Sequence, residues 1–202
     1  LGKEFIGTDP VALILGDNIF YGHSFPDLLG ELSESGSGAA ILGYHVPDPQ
    51  RFGVVEFNKD GQVLSLEEKP ENPKSDYAVV GLYFYNNSVV DIAMNLKPSP
   101  RGELEITDVN KVYLEKGQLS VKLMGRGYTW FDTGTQSSLM DAASFVRTIQ
   151  ERSGLMVGCI EEVAYRKGYI SSEQLKNLGE KQGKSSYGEY LVQIAREESL
   201  GI

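Results

Sequence analysis

The chain has 202 residues, 41% of them hydrophobic, and its 19 basic and 28 acidic residues give a net charge of −9. This length and composition are sufficient for an ordinary globular domain with a sizeable core. The negative charge opposes binding to nucleic acid or to an anionic membrane, so any anionic ligand requires local positive groups. The chain has a single cysteine, Cys159, no apolar run long enough to span a bilayer and no recognisable leader, and we therefore expect a cytoplasmic protein.

Strands and helices alternate along the first half of the chain. Residues 11–15 are typical of a strand, residues 24–36 of an amphipathic helix and residues 39–46 of a second strand. This order predicts a βαβ unit with parallel strands. Further along, Asp60 and Gly61 stand between two alternating apolar runs, which predicts a hairpin.

The second half begins with strands and ends with helices. Residues 77–86 are β-branched and aromatic, which favours a strand, and residues 105–117 have helical spacing with Gly117 as the stop. Residues 120–135 predict one further strand and a polar loop. Helices follow from Ser137, among them one whose Ser171 and Gln174 fit a capping box.

The predicted fold class follows from this order of elements. We expect an α/β protein with a mostly parallel, Rossmann-like sheet flanked by helices, and with a helical C-terminal tail. The expected division is an α/β part over residues 1–150 and a helical part over residues 151–202.

An aliphatic run stops abruptly at Gly16, Asp17 and Asn18 in the stretch ALILGDNIFYG, residues 12–22. One interpretation is a turn, because Asp and Asn side chains bond nearby backbone groups. The other is that Asp17 lies at the carboxyl end of a parallel strand, where open α/β sheets place ligand-binding groups.

A second carboxylate, Asp132, has a similar setting in the stretch YTWFDTGT, residues 128–135. Two carboxylates that converge at one edge of a sheet suit a hard divalent cation such as Mg²⁺, which takes oxygen ligands. The alternative for Asp132 is the N-cap of the following helix.

The stretch LEEKP, residues 66–70, places charged residues directly after an apolar strand. Alternation sends Glu68 to the face opposite Glu67 and Lys69, unless a backbone irregularity before Pro70 re-aims one of them. Lys69 could bind a phosphate and Glu68 could accept hydrogen bonds from sugar hydroxyls. The alternative is a solvated charge cluster.

Four further residues are candidates for a functional site. Arg101 could fork onto a phosphate, or it could be a loop charge paired with Glu105. Gly53 could let a ligand approach the backbone, or it could mark a strand irregularity. His23 and His45 have no nearby nucleophile, which argues against a catalytic triad.

Six blocks of the sequence stand out together by their order and spacing: LILGDNIFYGH, RFGVVEF, LEEKP, YAVVGLYFY, RGELEITDVN and GYTWFDTGT. In these blocks the chain resembles the sugar nucleotidylyltransferases, and the resemblance covers nearly its whole length, including the tail GCIEEVAYRKGYI.

The resemblance implies a Mg²⁺-dependent condensation of dTTP with α-D-glucose 1-phosphate, which gives dTDP-glucose and pyrophosphate by in-line attack. By motif match, Asp17 and Asp132 would hold the metal and Lys69 the sugar phosphate, and these three would be the catalytic residues. The remaining residues of the sugar-phosphate pocket would be Gly53, Glu68, Val79 and, as a second phosphate clamp, Arg101. Tyr83 and Trp130 would shape its walls or belong to the core.

The resemblance also implies a separate effector site, at which the end product of the pathway inhibits, and a homotetramer. The residues similar to that effector site are Tyr21, Gly22, Gly125, Arg126, Glu162, Val163 and Arg166. Residues 151–202 would then serve effector binding and subunit packing.

The chain differs from the family pattern at its start and at Val80, where relatives often carry Thr. The family's first strand and its glycine-rich loop, of the kind G-G-x-G-T-R-L, have no counterpart before Leu1. Because this loop cradles the triphosphate, we expect little turnover from these 202 residues alone.

Two alternative functions follow from this difference. The first is a non-catalytic module that binds a sugar phosphate or an effector, and the second keeps the chemistry with UTP or CTP. A natural binding module would cover the edge of the first strand, whereas an incomplete sheet would leave it bare.

Overall fold

The structure is a computed structural model that describes residues 2–34, 36 and 38–197. The chain divides into two compact units, Leu1–Leu139 and Met140–Ile202. The different roles expected for residues 1–150 and 151–202 stay a prediction. None of the helices in the described ranges combines the length and apolar character that a bilayer crossing requires.

The first unit contains two sheets. Its strands are β1 (Val11–Ile14), β2 (Asn18–Gly22), β3 (Ala39–His45), β4 (Gly53–Phe57), β5 (Val63–Glu68), β6 (Tyr77–Tyr85), β7 (Leu119–Met124) and β8 (Tyr128–Asp132). Six strands form the main sheet in the order β5-β4-β6-β3-β7, and β1 also pairs with β6. The other two, β2 and β8, form an antiparallel pair of their own.

The helices of the two units are short except for one. The first unit holds α1 (Lys3–Ile6), α2 (Phe25–Glu34), α3 (Val89–Met94) and α4 (Ile106–Glu115). The next helix, α5 (Gln136–Ser153), spans the division, and α6 (Ile160–Arg166), α7 (Ser172–Lys181) and α8 (Ser186–Glu197) belong to the second unit.

The prediction of a mostly parallel sheet is wrong. Among the described residues only β3 and β7 pair in parallel, while β6 runs antiparallel to β1, β3 and β4, and β4 runs antiparallel to β5. The strands β1 and β3 do run in the same direction on either side of α2, but β6 lies between them. Hydrophobic periodicity identifies strands but not the strands that they pair with. It therefore does not show that β6 lies between β1 and β3.

The main sheet carries a core on each face because side chains alternate along its strands. On one face Ile41 packs in a cluster with Tyr113 of α4. On the other, Leu42 packs in a cluster with Leu32 of α2 and with Trp130 of β8. The second core therefore holds β8 against the main sheet, which positions the end of that strand.

The predictions of local structure are more accurate than the prediction of strand pairing. The predicted hairpin is confirmed: Asn58 Oδ1 accepts hydrogen bonds from the backbone N–H groups of Asp60 at 2.9 Å and Gln62 at 3.0 Å, between β4 and β5. Gly117 follows α4 with a φ of 66°, as a C-terminal stop requires. The segment expected to be one strand and a loop contains two strands, β7 and β8.

The second unit packs α6, α7 and α8 around buried Leu175 and Leu191. The predicted capping box at the start of α7 is confirmed. Ser171 Oγ accepts the backbone N–H of Gln174 at 3.2 Å, and Gln174 Oε1 accepts the backbone N–H of Ser171 at 2.7 Å.

Candidate active site

A cavity of about 190 Å³ opens in the first unit, where the ends of β4, β5 and β8 meet β6 and the first turn of α4. The residues with predicted roles that line it are Gly53, Glu68, Lys69, Val79, Tyr83, Trp130 and Asp132. The structure therefore brings together residues from distant motifs, and their roles in binding a sugar phosphate stay a prediction.

The two candidate metal ligands lie on adjacent loops. Asp17 occupies the turn between β1 and β2, and Asp132 ends β8, directly opposite Asn18 in the strand pairing. Both the backbone N–H and the hydroxyl of Thr133 donate to the Asp17 carbonyl oxygen at 2.8 Å. These bonds keep the two loops together.

Because Gly134 has no side chain, a space stays open beside the carboxylates of Asp17 and Asp132. A Cβ at this position would lie 3.0 Å from Asp132 Oδ1 and 3.6 Å from Asp17 Oδ2. Any larger side chain would therefore fill the gap beside both carboxylates.

The structure distinguishes between the sequence-based interpretations of Asp17 and Asp132. Asp132 does not cap α5: its Oδ1 accepts the backbone N–H of Gly134 at 2.9 Å, whereas Thr135 Oγ1 accepts the N–H of Ser138 at 3.2 Å in the first helical turn. Asp17 does lie in a turn. Its expected place at the end of a parallel strand is wrong, because β1 runs antiparallel to β6.

This pair of carboxylates fits a divalent cation. Carboxylate oxygens are the ligands that Mg²⁺ prefers, and Gly134 leaves room beside them. Within the described ranges no group of three or more His, Cys, Asp or Glu side chains is arranged to hold a metal ion. A cation at Asp17 and Asp132 would therefore complete its shell with water or with substrate oxygens.

Lys69 has an unusual backbone conformation, with a φ of 44°, and it is the only non-glycine residue with positive φ in the described part of the chain. This left-handed residue ends the alternation of β5, so Glu68 and Lys69 both line the cavity. Lys69 forms no ion pair with any described residue, which leaves its ammonium group available to an anion.

Glu68 is held by a residue that the sequence analysis did not select. The hydroxyl of buried Thr107 donates to Glu68 Oε2 at 2.5 Å. A Cβ at Gly53 would lie 3.0 Å from Thr107 Oγ1 and 3.2 Å from Glu68 Oε2, so glycine leaves room for this pair. Burial, and then the charge of Glu68, raise the pKa of Tyr83, which keeps its phenol protonated.

Arg101 lies among three carboxylates. Its guanidinium nitrogens are 3.8 Å from Glu68 Oε1, 3.4 Å from Glu103 Oε2 and 3.5 Å from Glu105 Oε1. The pairing with Glu105 that was one alternative is therefore present. A role for Arg101 as a phosphate clamp stays a prediction.

Asn18 is a second residue that the sequence analysis did not select. Its Oδ1 accepts hydrogen bonds from the Gly81 N–H at 3.0 Å and from Trp130 Nε1 at 2.6 Å, and its Nδ2 donates to Asp17 Oδ1 at 2.9 Å. Trp130 is a buried residue that also lines the cavity, and its role in a sugar pocket stays a prediction.

The residues predicted for an effector site lie in both units. In the first, Tyr21 and Gly22 end β2, and Gly22 pairs with Tyr128, which places them at the same end of the two-stranded sheet as the turn at Gly125 and Arg126.

In the second unit Glu162, Val163 and Arg166 lie on α6. The Glu162 carboxylate accepts hydrogen bonds from Arg166 Nε at 2.8 Å and from the Tyr190 hydroxyl at 2.5 Å. A joint effector site stays a prediction.

Comparison with known proteins gives consistent matches. The family model described as nucleotidyl transferase matches residues 1–149. The chain is 52% identical to a glucose-1-phosphate thymidylyltransferase of Neisseria meningitidis over 98% of this chain and 68% of the relative. It is 54% identical to one of Mycobacterium tuberculosis over 96% of this chain and 67% of the relative.

Solved structures agree with these relatives. A protein from Bacillus anthracis described as a glucose-1-phosphate thymidylyltransferase, in complex with sucrose, matches with a TM-score of 0.64 and 42% identity over 72% of this chain and 58% of that one. A UDP-glucose pyrophosphorylase with UDP-glucose shares the fold, with a TM-score of 0.65 at 22% identity over 73% of this chain and 59% of that one. The chain thus spans about two thirds of the length of its curated relatives.

The carboxylate pair, the cavity beside it and these matches agree with one another. The family match and the curated relatives show that the chain belongs to the nucleotidyl transferase family, as a homologue of the glucose-1-phosphate thymidylyltransferases.

Proposed function

We propose that this chain supplies the metal-binding and sugar-phosphate part of an enzyme that joins dTTP and α-D-glucose 1-phosphate into dTDP-glucose and pyrophosphate. The observation that carries the proposal is the convergence of Asp17 and Asp132 beside a cavity lined by Glu68 and Lys69. A pure binding module has no need of a pair of metal ligands.

In this reaction an oxygen of the sugar phosphate attacks the α-phosphorus of dTTP and pyrophosphate leaves, so the protein positions the reactants and compensates their charge. A magnesium ion held by Asp17 and Asp132 would supply charge neutralisation at the phosphate oxygens. Lys69 holds the phosphate of the sugar, and Glu68, fixed by Thr107, accepts hydrogen bonds from sugar hydroxyls.

The unpaired edge of β1 supports an enzyme part over a self-contained binding module. Leu13 and Ile14 of β1 are 38% and 56% exposed, and among the described strands β1 pairs with β6 alone. A natural module would cover such an edge, because bare apolar edges promote association.

We also propose a cytoplasmic homotetramer with an end-product effector site, in which the second unit takes part in subunit packing. The exposed apolar side chains of α6, Ile160 at 74% and Val163 at 55%, support a packing role. Sedimentation of the whole protein tests the assembly.

The function is tested by pyrophosphate release from glucose 1-phosphate and Mg²⁺ with dTTP, UTP or CTP. The assay compares this chain with the longest open reading frame that contains it. We expect release with dTTP from the longer product and little from the 202 residues alone. Release with UTP or CTP in preference to dTTP would show that the proposed nucleotide substrate is wrong. No release from a verified whole protein would contradict the enzyme function and leave the binding-module alternative.

A further inference from the structure

Arg51 is a cation at the cavity to which the sequence analysis gives no role. It ends the 3-10 turn Pro49–Arg51, just before β4, and lines the cavity together with Lys69. The backbone N–H of Lys69 donates to the carbonyl oxygen of Phe52 at 3.0 Å. Two cations therefore stand at the same end of the β4–β5 pair.

Aromatic packing and one ion pair hold the Arg51 guanidinium. Its central carbon lies 5.2 Å from the centre of the Phe52 ring, which in turn packs edgewise on Trp130 with ring centres 5.1 Å apart. Nη1 lies 2.8 Å from Asp48 Oδ2, and the Arg51 side chain is half exposed. An exposed ion pair of this kind is weak, so the guanidinium of Arg51 can also bind an incoming anion.

The charge balance differs between the two arginines near the cavity. Arg101 is within 4 Å of three carboxylates, so its surroundings carry excess negative charge. Among the described residues Arg51 forms an ion pair with one carboxylate, that of Asp48, and Lys69 forms none, although Glu68 and Asp132 also line the cavity. Arg51 and Lys69 are therefore less neutralised by ion pairs than Arg101 is, which favours them as partners of a phosphate group.

We propose that Arg51 is a substrate-binding residue that binds a phosphate group together with Lys69, in the place that the sequence analysis gave to Arg101. This inference rests on the proposed function, since that function supplies the two phosphate ligands concerned, the sugar phosphate and pyrophosphate.

The experiment measures ligand affinity with the 202-residue chain in Mg²⁺ buffer, using the fluorescence of Trp130, the single tryptophan. Glucose 1-phosphate and inorganic pyrophosphate are titrated separately. The variants are Arg51→Met, which keeps an aliphatic chain over Phe52, Arg51→Lys, which keeps the charge, and Arg101→Met. The matched control is Arg147→Met, which removes an exposed cation paired only with Glu151 at 3.7 Å.

We expect Arg51→Met to weaken binding about tenfold or more, Arg51→Lys to restore part of the loss, and Arg101→Met to weaken it less than Arg51→Met does. Arg147→Met should bind like the unsubstituted chain. Loss for glucose 1-phosphate alone identifies the sugar phosphate as the partner of Arg51, and loss for pyrophosphate alone identifies the leaving group.

Two results would overturn the role of Arg51 while leaving the proposed function intact. One is unchanged affinity of Arg51→Met for both ligands, and the other is a loss that Arg51→Lys does not reduce, which indicates a packing role. Absence of binding of both ligands by the unsubstituted chain would contradict the proposed function as well.

Discussion

At the scale of single residues, Asn18 connects the carboxylate of Asp17 to two strands through one amide group. Its Oδ1 uses both lone pairs, on Gly81 of β6 and Trp130 of β8, while its Nδ2 holds Asp17. Loss of this amide would leave two partly buried N–H groups without an acceptor, which costs more than the bonds contribute. Asn18 is therefore a positioning residue for Asp17.

Gly81 makes this contact possible, and its substitution gives a first prediction. A Cβ at residue 81 would lie 2.6 Å from Asn18 Oδ1 and 2.8 Å from Leu15 Cδ1. We expect Gly81→Ala to lower the free energy of unfolding by about 1–3 kcal/mol because of this overpacking. Urea unfolding followed by Trp130 fluorescence measures the change.

The matched control is Gly30→Ala in α2. Nothing lies within 4 Å of a Cβ at residue 30, so alanine should stabilise the helix by about 0.5–1 kcal/mol. If the two alanines had the same effect, close approach at Gly81 would not be the reason for glycine there.

The sequence indicates some site residues and not others for a physical reason. Asp17, Glu68 and Asp132 stand out because charged groups directly after apolar strands call for an explanation. Thr107 and Asn18 do not stand out in the sequence. Thr107 contacts Glu68, 39 residues away along the chain, and Asn18 contacts Gly81, 63 residues away. Only the folded chain brings those partners together.

At the scale of elements, the capping box of α7 is a local device whose energy can be measured. Ser171→Ala removes the acceptor for the Gln174 N–H and should cost the helix about 1 kcal/mol. Hydrogen exchange of the α7 amides reports the loss. Ser137→Ala, near the start of α5, is the comparison, and equal effects on α7 would contradict the assignment of the cap.

Packing of α8 on α6 predicts an alkaline limit to stability. Burial, followed by the hydrogen bond to Glu162, raises the pKa of Tyr190 from 10.0 to about 12. The folded unit therefore holds this proton more tightly than the unfolded chain. The resulting stabilisation is complete below pH 10 and is lost as the pH rises from 10 to about 12.

Tyr190→Phe removes the titrating group and should reduce this alkaline loss. Urea unfolding of the second unit between pH 9 and about pH 12 checks the prediction. Tyr169→Phe is the control, because Tyr169 is 79% exposed and should leave the pH dependence unchanged. A steeper alkaline loss in Tyr190→Phe than in the original chain would contradict the stated origin of the pKa.

Strand pairing shows where element-level prediction stops. The hairpin, α4 and α7 follow from residues within each segment, and these predictions are confirmed. The position of β6 between β1 and β3 depends on which surfaces match in three dimensions. A strand that is buried on both faces, such as β6, is a nearly continuous apolar run whether its neighbours are parallel or antiparallel, so the mixed sheet could not be predicted.

At the scale of the whole molecule, the proposed function requires a chain with a net charge of −9 to bind anionic substrates. The structure meets this requirement locally, with Lys69 and Arg51 on one side of the cavity and, at Asp17 and Asp132, a place for a divalent cation. We therefore expect charge at the site, and not the overall charge, to decide which ligands bind.

In the proposed function Asp17 and Asp132 serve nucleotidylyl transfer as a pair. The most direct measurement is pyrophosphate release from dTTP and glucose 1-phosphate by the longest open reading frame containing this chain, with Asp17→Asn, Asp132→Asn and the exposed control Asp141→Asn. We expect a loss of about a hundredfold or more for each of the first two variants and none for the control. Full activity in Asp132→Asn would contradict this expectation.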